Sequence, residues 1–274
     1  MKVACIFLCW NNPEEFVNDS IGRLLQFVPP QSVIVVDNGS TNHIDAFIAQ
    51  KYPDVTLYRL PINAGFSAGN NVGIRAALQS GFDAVCLLNV DTIIDEDFIG
   101  PCAQILQTHA DIGVIGPVVL EAYQDRVVQC EGGKLLVMRA SFPYRKAGTH
   151  FERCDELVDV GYVLGAAMMI RADVIRKIGY LEEDYAPLYL DDPDFCYRAR
   201  KAGYRSVIHR GTAIRHIGAQ SSGGRWKAFR RISTNRFQFA IMYLGPGSFL
   251  VASIAIVARV MYWKCRAVLF KRYR

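Results

Sequence analysis

Asp91 lies just beyond an apolar run, Ala84–Leu88, of the kind found in strands buried on both faces of a sheet. The run stops abruptly at the polar residue Asn89. In an open α/β sheet, ligands bind beyond the carboxyl ends of the strands. A lone aspartate in this position could simply cap the following turn. A chemical role for Asp91 therefore depends on matching groups arriving at the same edge from other segments.

A second acid, Asp37, ends another apolar run, which predicts a strand over Ser32–Val36, and Asn38 follows it. A carboxylate at such a strand end can accept a hydrogen bond from a nucleobase N–H or a ribose hydroxyl. An Asx-type turn explains the same two residues without any ligand. Both interpretations stay open on the sequence alone.

Three carboxylates occur within four residues, at Asp191, Asp192 and Asp194. Because like charges repel, at least one of them should have a raised pKa or a cationic neighbour. A carboxylate with a raised proton affinity is suited to act as a general base. A helix N-terminus with Asp192 as the cap and Pro193 in the first turn would explain part of the cluster, but it leaves Asp191 unexplained.

His216 is a single histidine, and most such residues are structural. An imidazole is a common metal ligand, so His216 would gain a chemical role if Asp91 held a divalent cation that lacked a further donor. The sequence makes this pairing a conditional prediction.

The elements that must position these groups alternate between apolar strands and helices, which predicts a doubly wound, mostly parallel α/β sheet. The segment Asn63–Gly73 contains three glycines and precedes a helix predicted at Ile74–Ser80. We expect this segment to be a loop whose backbone N–H groups can approach an anion. Other strands are predicted over residues 3–8, 55–60, 84–88, 113–120 and 205–209.

The net charge of +5 conceals a strong asymmetry along the 274 residues. Residues 1–194 carry 14 Lys/Arg and 26 Asp/Glu, whereas residues 195–274 carry 17 Lys/Arg and no acid. Such a segment indicates an anionic partner, which could be phosphate, nucleic acid or a membrane surface. The eight cysteines form no C-x-x-C pair and indicate reduced thiols in the cytoplasm.

The C-terminal part, residues 225–274, is both basic and apolar, and we separate it from a catalytic domain over residues 1–224. Its longest uninterrupted apolar run, Ser248–Ala258, is too short for a spanning helix, which needs about 20 residues. A helical hairpin packed on the domain is one interpretation. We favour a helix lying in the interface of an anionic leaflet.

Taken in order, six motifs over residues 3–218 resemble the family 2 glycosyltransferases of the GT-A fold, in the non-processive branch of bacterial rhamnosyl- and galactofuranosyltransferases. The motifs are Val35-Val36-Asp37-Asn38-Gly39-Ser40, Asn63-x-Gly65-Phe66-x-x-Gly69-Asn70-Asn71-x-Gly73, Leu88-Asn89-Val90-Asp91-Thr92, Gly165-Ala166-x-Met168-x-Ile170-Arg171, Asp191-Asp192-x-Asp194-x-x-x-Arg198 and His216. The sequence departs from the branch at Asn89, where a D-x-D element begins, at Val90 in place of proline, and at Asp191 in place of glutamate.

The resemblance implies an inverting, metal-dependent transfer from a nucleotide sugar, with dTDP-rhamnose favoured and a UDP-sugar possible. The acceptor would be a lipid-linked (polyprenyl pyrophosphate) glycan of cell-surface polysaccharide, such as O-antigen or capsule, at the cytoplasmic face of the membrane. Asp192 would be the catalytic base, and Asp91 and His216 would hold Mg²⁺ or Mn²⁺. The nucleotide sugar would be bound by Trp10, Asp37, Asn38, Asn63, Asn70, Asn89 and Asp191.

Three other functions compete with this one. A sugar nucleotidyltransferase would need a basic glycine-rich loop after the first strand, where the sequence reads Cys9-Trp10-Asn11-Asn12-Pro13. A nucleic-acid binder would explain the basic segment but not its apolar stretch, so we expect no nucleic acid partner. A non-catalytic nucleotide-sugar-binding subunit of a polysaccharide assembly complex predicts damage at the base or metal positions, yet these residues are intact.

Overall fold

The structure is a computed structural model and describes residues 1–185, 187–218 and 225–271. Its strands are β1 (Val3–Cys9), β2 (Val33–Asp37), β3 (Thr56–Arg59), β4 (Ala84–Asn89), β5 (Thr92–Ile93), β6 (Ile112–Glu121), β7 (Val128–Cys130), β8 (Leu157–Val160), β9 (Ala167–Arg171) and β10 (Arg205–His216). Its helices are α1 (Glu14–Leu24), α2 (Ile44–Lys51), α3 (Phe66–Gln79), α4 (Ile99–Thr108), α5 (Ala172–Ile178), α6 (Asp191–Lys201), α7 (Arg225–Tyr243) and α8 (Pro246–Lys271).

One sheet has the order β3-β2-β1-β4-β9-β6-β10-β5, with β7 paired to β6 and β8 paired to β10. The α/β fold with flanking helices is confirmed, but the sheet is mixed rather than mostly parallel. Strand β9 runs antiparallel between β4 and β6, with Ala167 opposite Leu88 and Ile170 opposite Val114. The chain enters β9 from the carboxyl edge of β4, and apolar runs do not encode that direction.

The core lies on both faces of the sheet, because successive side chains of a strand point to opposite faces. In β1, Cys5 and Phe7 pack on the side of α1, α2 and α4. Ala4 and Ile6 pack on the side of α3, α5 and α6. The carboxyl edge between these two layers is therefore held rigidly from both sides.

The glycine-rich segment is not the predicted loop, because α3 already begins at Phe66. Gly69 and Gly73 lie inside this helix and face β1. A Cβ on Gly69 would lie 2.5 Å from Leu8 Cδ1, and a Cβ on Gly73 would lie 2.6 Å from Ile6 Cγ2. These glycines allow the helix to approach the strand closely, which is a packing requirement rather than an anion-binding one.

Helices α7 and α8 pack on the domain through an apolar cluster. One face of this segment is therefore the packed helical hairpin that the sequence analysis gave as the less favoured interpretation. Phe239 of α7 and Ile256 of α8 are buried there with Tyr185 and Leu190. Within the described ranges, no helix is long and apolar enough to cross a membrane. The division of the chain at residue 224 stays a prediction, since residues 219–224 lie outside the described ranges.

Candidate active site

The carboxyl ends of β1, β2 and β4 meet at one edge, since these strands pair in parallel. Cys9 lies opposite Asp37, and Leu8 lies opposite Asn89. This register places Trp10, Asp37 and Asn89 side by side, as the sequence predicts. Trp10 is 45% exposed, so an aromatic face is available at this edge.

Asp37 is fully buried, and its two carboxylate oxygens differ in their surroundings. Oδ1 accepts a hydrogen bond from the backbone N–H of Ser40 at 3.0 Å. Oδ2 is buried without a hydrogen-bond donor among the described residues, and Arg59 Nε lies 3.7 Å away. An unsatisfied carboxylate oxygen is costly, so a ligand N–H that reached this buried atom would satisfy it.

The amide groups of Asn38 and Asn63 hold the loop that precedes α3. Asn38 Oδ1 accepts the N–H of Ala64 at 2.9 Å, and Asn38 Nδ2 donates to Asn63 Oδ1 at 3.0 Å and to the carbonyl of Gly65 at 3.1 Å. Asn70, buried in α3, donates to the carbonyl of Phe66 at 3.0 Å. Direct contact of these three residues with a nucleotide stays a prediction.

Asp91 and His216 are in contact, although 125 positions separate them. His216 ends β10, and it pairs with Thr92 of β5, directly after Asp91. The distance from Asp91 Oδ1 to His216 Nε2 is 3.1 Å, and the backbone N–H of Gly218 donates to Asp91 Oδ2 at 3.1 Å. Asn89 Nδ2 also lies 3.3 Å from His216 Nε2.

Gln129 fixes the orientation and the tautomer of His216. Its Nε2 donates to Glu121 Oε2 and to the His216 carbonyl, both at 3.2 Å, which leaves Oε1 as an acceptor 2.7 Å from His216 Nδ1. The proton of a neutral imidazole then lies on Nδ1, and the Nε2 lone pair lies beside the Asp91 carboxylate. Gln129 is not among the predicted site residues, because a single glutamine belongs to no motif.

A carboxylate oxygen and an imidazole lone pair 3.1 Å apart repel each other unless a proton or a cation lies between them. Within the described ranges, no three His, Cys, Asp or Glu residues cluster as a metal site. Mg²⁺ and Mn²⁺ bound with a nucleotide need only one or two protein ligands, because phosphates and waters complete the shell. Asp91 and His216 therefore fit the protein share of such a site.

Asp191 and Asp192 occupy the first two positions of α6. The residue before the helix is Leu190 with φ of 71°, so the alternative explanation of Asp192 as the cap of this helix does not hold. Asp192 Oδ2 accepts the N–H of Gly165 at 3.1 Å, and the next residue, Ala166, accepts the N–H of Asn89 at 3.1 Å. This short path places Asp192 at the same edge as Asp91.

Burial raises the pKa of Asp192 to about 6, while the hydrogen bond from Gly165 opposes that rise. Burial also raises the pKa of Asp191 to about 7, opposed by a short hydrogen bond from Ser67 Oγ and reinforced by the charge of Asp192. Proton affinities near neutral pH are what general bases require. The raised pKa expected for the acidic cluster is present, but burial is its main cause, and repulsion between the carboxylates contributes only at Asp191.

Asp194 is the member of the cluster with a cationic neighbour. It is fully buried, and its Oδ2 lies 2.7 Å from Arg198 Nε. The hydroxyl of Tyr185 donates to Oδ1 at 3.2 Å. Asp194 is thus a structural carboxylate, which leaves Asp191 and Asp192 to the site.

The arrangement of the mixed sheet and its flanking helices is that of the GT-A glycosyltransferase fold. GalNAc-T7, solved with UDP, GalNAc and Mn²⁺, is similar with a TM-score of 0.70 and 10% identity, over 90% of this chain and 48% of that one. The mannosyltransferase PcManGT from Pyrobaculum calidifontis, solved with GDP-Man and Mn²⁺, is similar with a TM-score of 0.62 and 15% identity, over 100% of this chain and 82% of that one.

The model of the family described as "Glycosyltransferase like family 2" matches residues 3–235 of this chain. The chain therefore belongs to this family. The low-salt glycan biosynthesis hexosyltransferase Agl10 of Haloferax volcanii is 30% identical over 61% of this chain. The chain spans 53% of that relative, or about half its length. The N-acetylglucosaminyl-diphospho-decaprenol L-rhamnosyltransferase of Mycobacterium tuberculosis is 25% identical over 71% of this chain and 69% of its own length.

Proposed function

We propose that this chain is an inverting glycosyltransferase that moves a sugar from a nucleoside-diphosphate sugar to a lipid-linked glycan. Two observations support the proposal: the contact between Asp91 and His216, and the hydrogen bond from Gly165 that holds Asp192 near the same sheet edge. A base and a diphosphate-binding pair must act on opposite sides of a sugar, so they have to come from different chain segments. The three residues meet this requirement, because Asp91 follows β4, Asp192 lies in the first turn of α6 and His216 ends β10.

Asp192 is mostly ionised at pH 7, because its pKa is raised only to about 6. It takes the proton of the acceptor hydroxyl while that oxygen attacks the anomeric carbon, and the bond to the nucleoside diphosphate breaks. Asp91 and His216 would hold Mg²⁺ or Mn²⁺, which would supply Lewis-acid stabilisation of the charge on the leaving diphosphate. Because Ser67 donates a hydrogen bond to its buried carboxylate, we assign Asp191 to supporting the base Asp192 rather than to the nucleotide-sugar contact that the resemblance implies.

The Asp37 oxygen that lacks a hydrogen-bond donor supports a nucleotide whose base carries an N–H in its ring, as uracil, thymine and guanine do. Trp10, exposed beside Asp37, is available to stack on that base. We favour dTDP-rhamnose, with UDP-sugars as the second choice. The similarity to the mycobacterial N-acetylglucosaminyl-diphospho-decaprenol L-rhamnosyltransferase supports this donor and a lipid-linked acceptor.

We place the protein peripherally on the cytoplasmic face of an anionic membrane. Four apolar side chains of α8, each at least 49% exposed, follow helical spacing on one face; they are Leu250, Ile254, Val257 and Met261. No Asp or Glu follows Asp194 in the sequence. An apolar stripe on a basic segment is typical of helices that lie in an anionic interface.

Purified full chain, incubated with UDP-, dTDP- and GDP-sugars, Mn²⁺ and a polyprenyl-pyrophosphate-linked glycan, tests the proposal by release of nucleoside diphosphate. We expect turnover with one thymine or uracil donor. The variant Asp192→Asn should bind that donor normally but transfer no sugar. Donor binding without transfer by the unaltered chain would favour the non-catalytic subunit instead, and absence of both would refute nucleotide-sugar chemistry.

A further inference from the structure

The two residues before the acidic pair hold an unusual backbone conformation. Tyr189 has φ of 82° and Leu190 has φ of 71°. Side chains larger than glycine rarely adopt this left-handed region, and bulky ones least of all. Such residues persist only where the surrounding structure holds them. The position of Asp191 and Asp192 therefore depends on what fixes the loop before them.

Asn235 of α7 is the side chain that fixes this loop. It is 5% exposed, and its Nδ2 donates to three backbone carbonyls. The acceptors are Tyr185 at 3.1 Å, Leu188 at 3.0 Å and Tyr189 at 2.8 Å. Two amide hydrogens serve three oxygens, so one hydrogen is shared between two of them.

The other side of the loop is attached to the nucleotide-proximal helix α3. The backbone N–H of Phe66 donates to the Pro187 carbonyl at 2.7 Å. The next residue, Ser67, donates to Asp191. The loop thus lies between α3 and α7, and Asn235 supplies the attachment from the C-terminal side.

We propose that Asn235 is a positioning residue, which holds the loop of residues 187–190 so that Asp191 and Asp192 stand correctly at the site. The inference rests on the proposed function. It makes the C-terminal hairpin part of the catalytic apparatus as well as a membrane-facing element. Removing the amide should release the loop while leaving the donor site, at the ends of β1, β2 and β4, unchanged.

The test compares Asn235→Ala with the matched variant Ser233→Ala in the full chain. Ser233 is half-buried on the same helix, but its hydroxyl donates only to the local Phe229 carbonyl, at 2.8 Å, in the contacts of the described residues. Hydrogen exchange of backbone amides over residues 188–195 and steady-state kinetics are measured for both. We expect at least tenfold faster exchange, a 10- to 100-fold lower kcat and a donor KM within about twofold for Asn235→Ala. Ser233→Ala should match the unaltered chain.

Wild-type exchange and kcat in folded Asn235→Ala would overturn the proposal, as would a rise in donor KM that matches the loss of kcat. If Asn235→Ala does not fold, Asn235→Ser, which keeps one donor, should show the same changes to a smaller degree. If the unaltered chain turns over no donor, the proposed function is refuted. Faster exchange in Asn235→Ala would even then show that Asn235 holds the loop. Normal turnover by the unaltered chain, together with unchanged exchange in Asn235→Ala, would refute the loop attachment but not the proposed function.

Discussion

His216 Nδ1 donates to Oε1 of Gln129 across 2.7 Å, and this hydrogen bond sets which ring nitrogen faces Asp91. A ligand histidine commonly has such a partner, and loss of the partner costs about 10- to 100-fold in metal affinity. The pair links β7, which pairs with β6, to the end of β10 beside Asp91.

Replacing Gln129 by alanine should weaken Mn²⁺ binding about 10- to 100-fold in the presence of nucleoside diphosphate, because the imidazole can rotate and change tautomer. Electron paramagnetic resonance of free Mn²⁺ measures this directly. Gln124→Ala is the control, since Gln124 is exposed in the same segment. Equal Mn²⁺ affinity in the two variants would show that Gln129 does not support the metal ligand.

Asp37→Asn should lower affinity for thymine or uracil nucleotides about tenfold or more, because an amide presents an N–H where the carboxylate offers an acceptor. Calorimetric titration with dTDP and UDP gives the dissociation constants. Asp45→Asn is the matched control, since Asp45 shares Arg59 with Asp37 but is on α2. A weakened ADP affinity of the same size would argue against base recognition by Asp37, because adenine has no ring N–H to donate on its pairing edge.

The transfer rate should rise with pH and level off above about pH 6, since the pKa of Asp192 is raised to about 6 and only its ionised form accepts a proton. Below that point kcat/KM should fall about tenfold per pH unit. Donor binding measured over the same pH range separates loss of the base from loss of the fold. A midpoint near pH 4 would mean that Asp192 is exposed to water or is not the base.

Ile254→Asp on the exposed face of α8 should reduce binding to vesicles of phosphatidylglycerol and phosphatidylcholine about tenfold or more. Burying an isoleucine is worth about 1.5–3 kcal/mol, and a carboxylate adds repulsion from the anionic surface. Co-sedimentation measures the bound fraction. Tyr123→Asp changes an exposed aromatic residue remote from the hairpin in sequence, and it should leave binding unchanged. Equal binding of both variants would exclude this face of α8 as the membrane contact.

The sequence by itself determined the α/β class and the acids at strand ends. An apolar run that stops at Asp37 or Asp91 marks both the strand and its polar edge, and this signal is local. The motif order also predicted that His216 would join Asp91. Each of these features was predicted from residues adjacent in the chain or from the order of the motifs along it.

Only the tertiary structure decided the direction of β9, the early start of α3, and the roles of Gln129 and Asn235. In the sequence, Gly69 and Gly73 indicate a loop. In the structure, Leu8 and Ile6 lie against them, so the glycines serve close packing of a helix. Gln129 acts on a residue 87 positions away, and Asn235 on carbonyls 46 to 50 positions away. A hydrogen bond between distant segments leaves no periodicity or spacing in the chain, because it depends on how the intervening strands and helices pack.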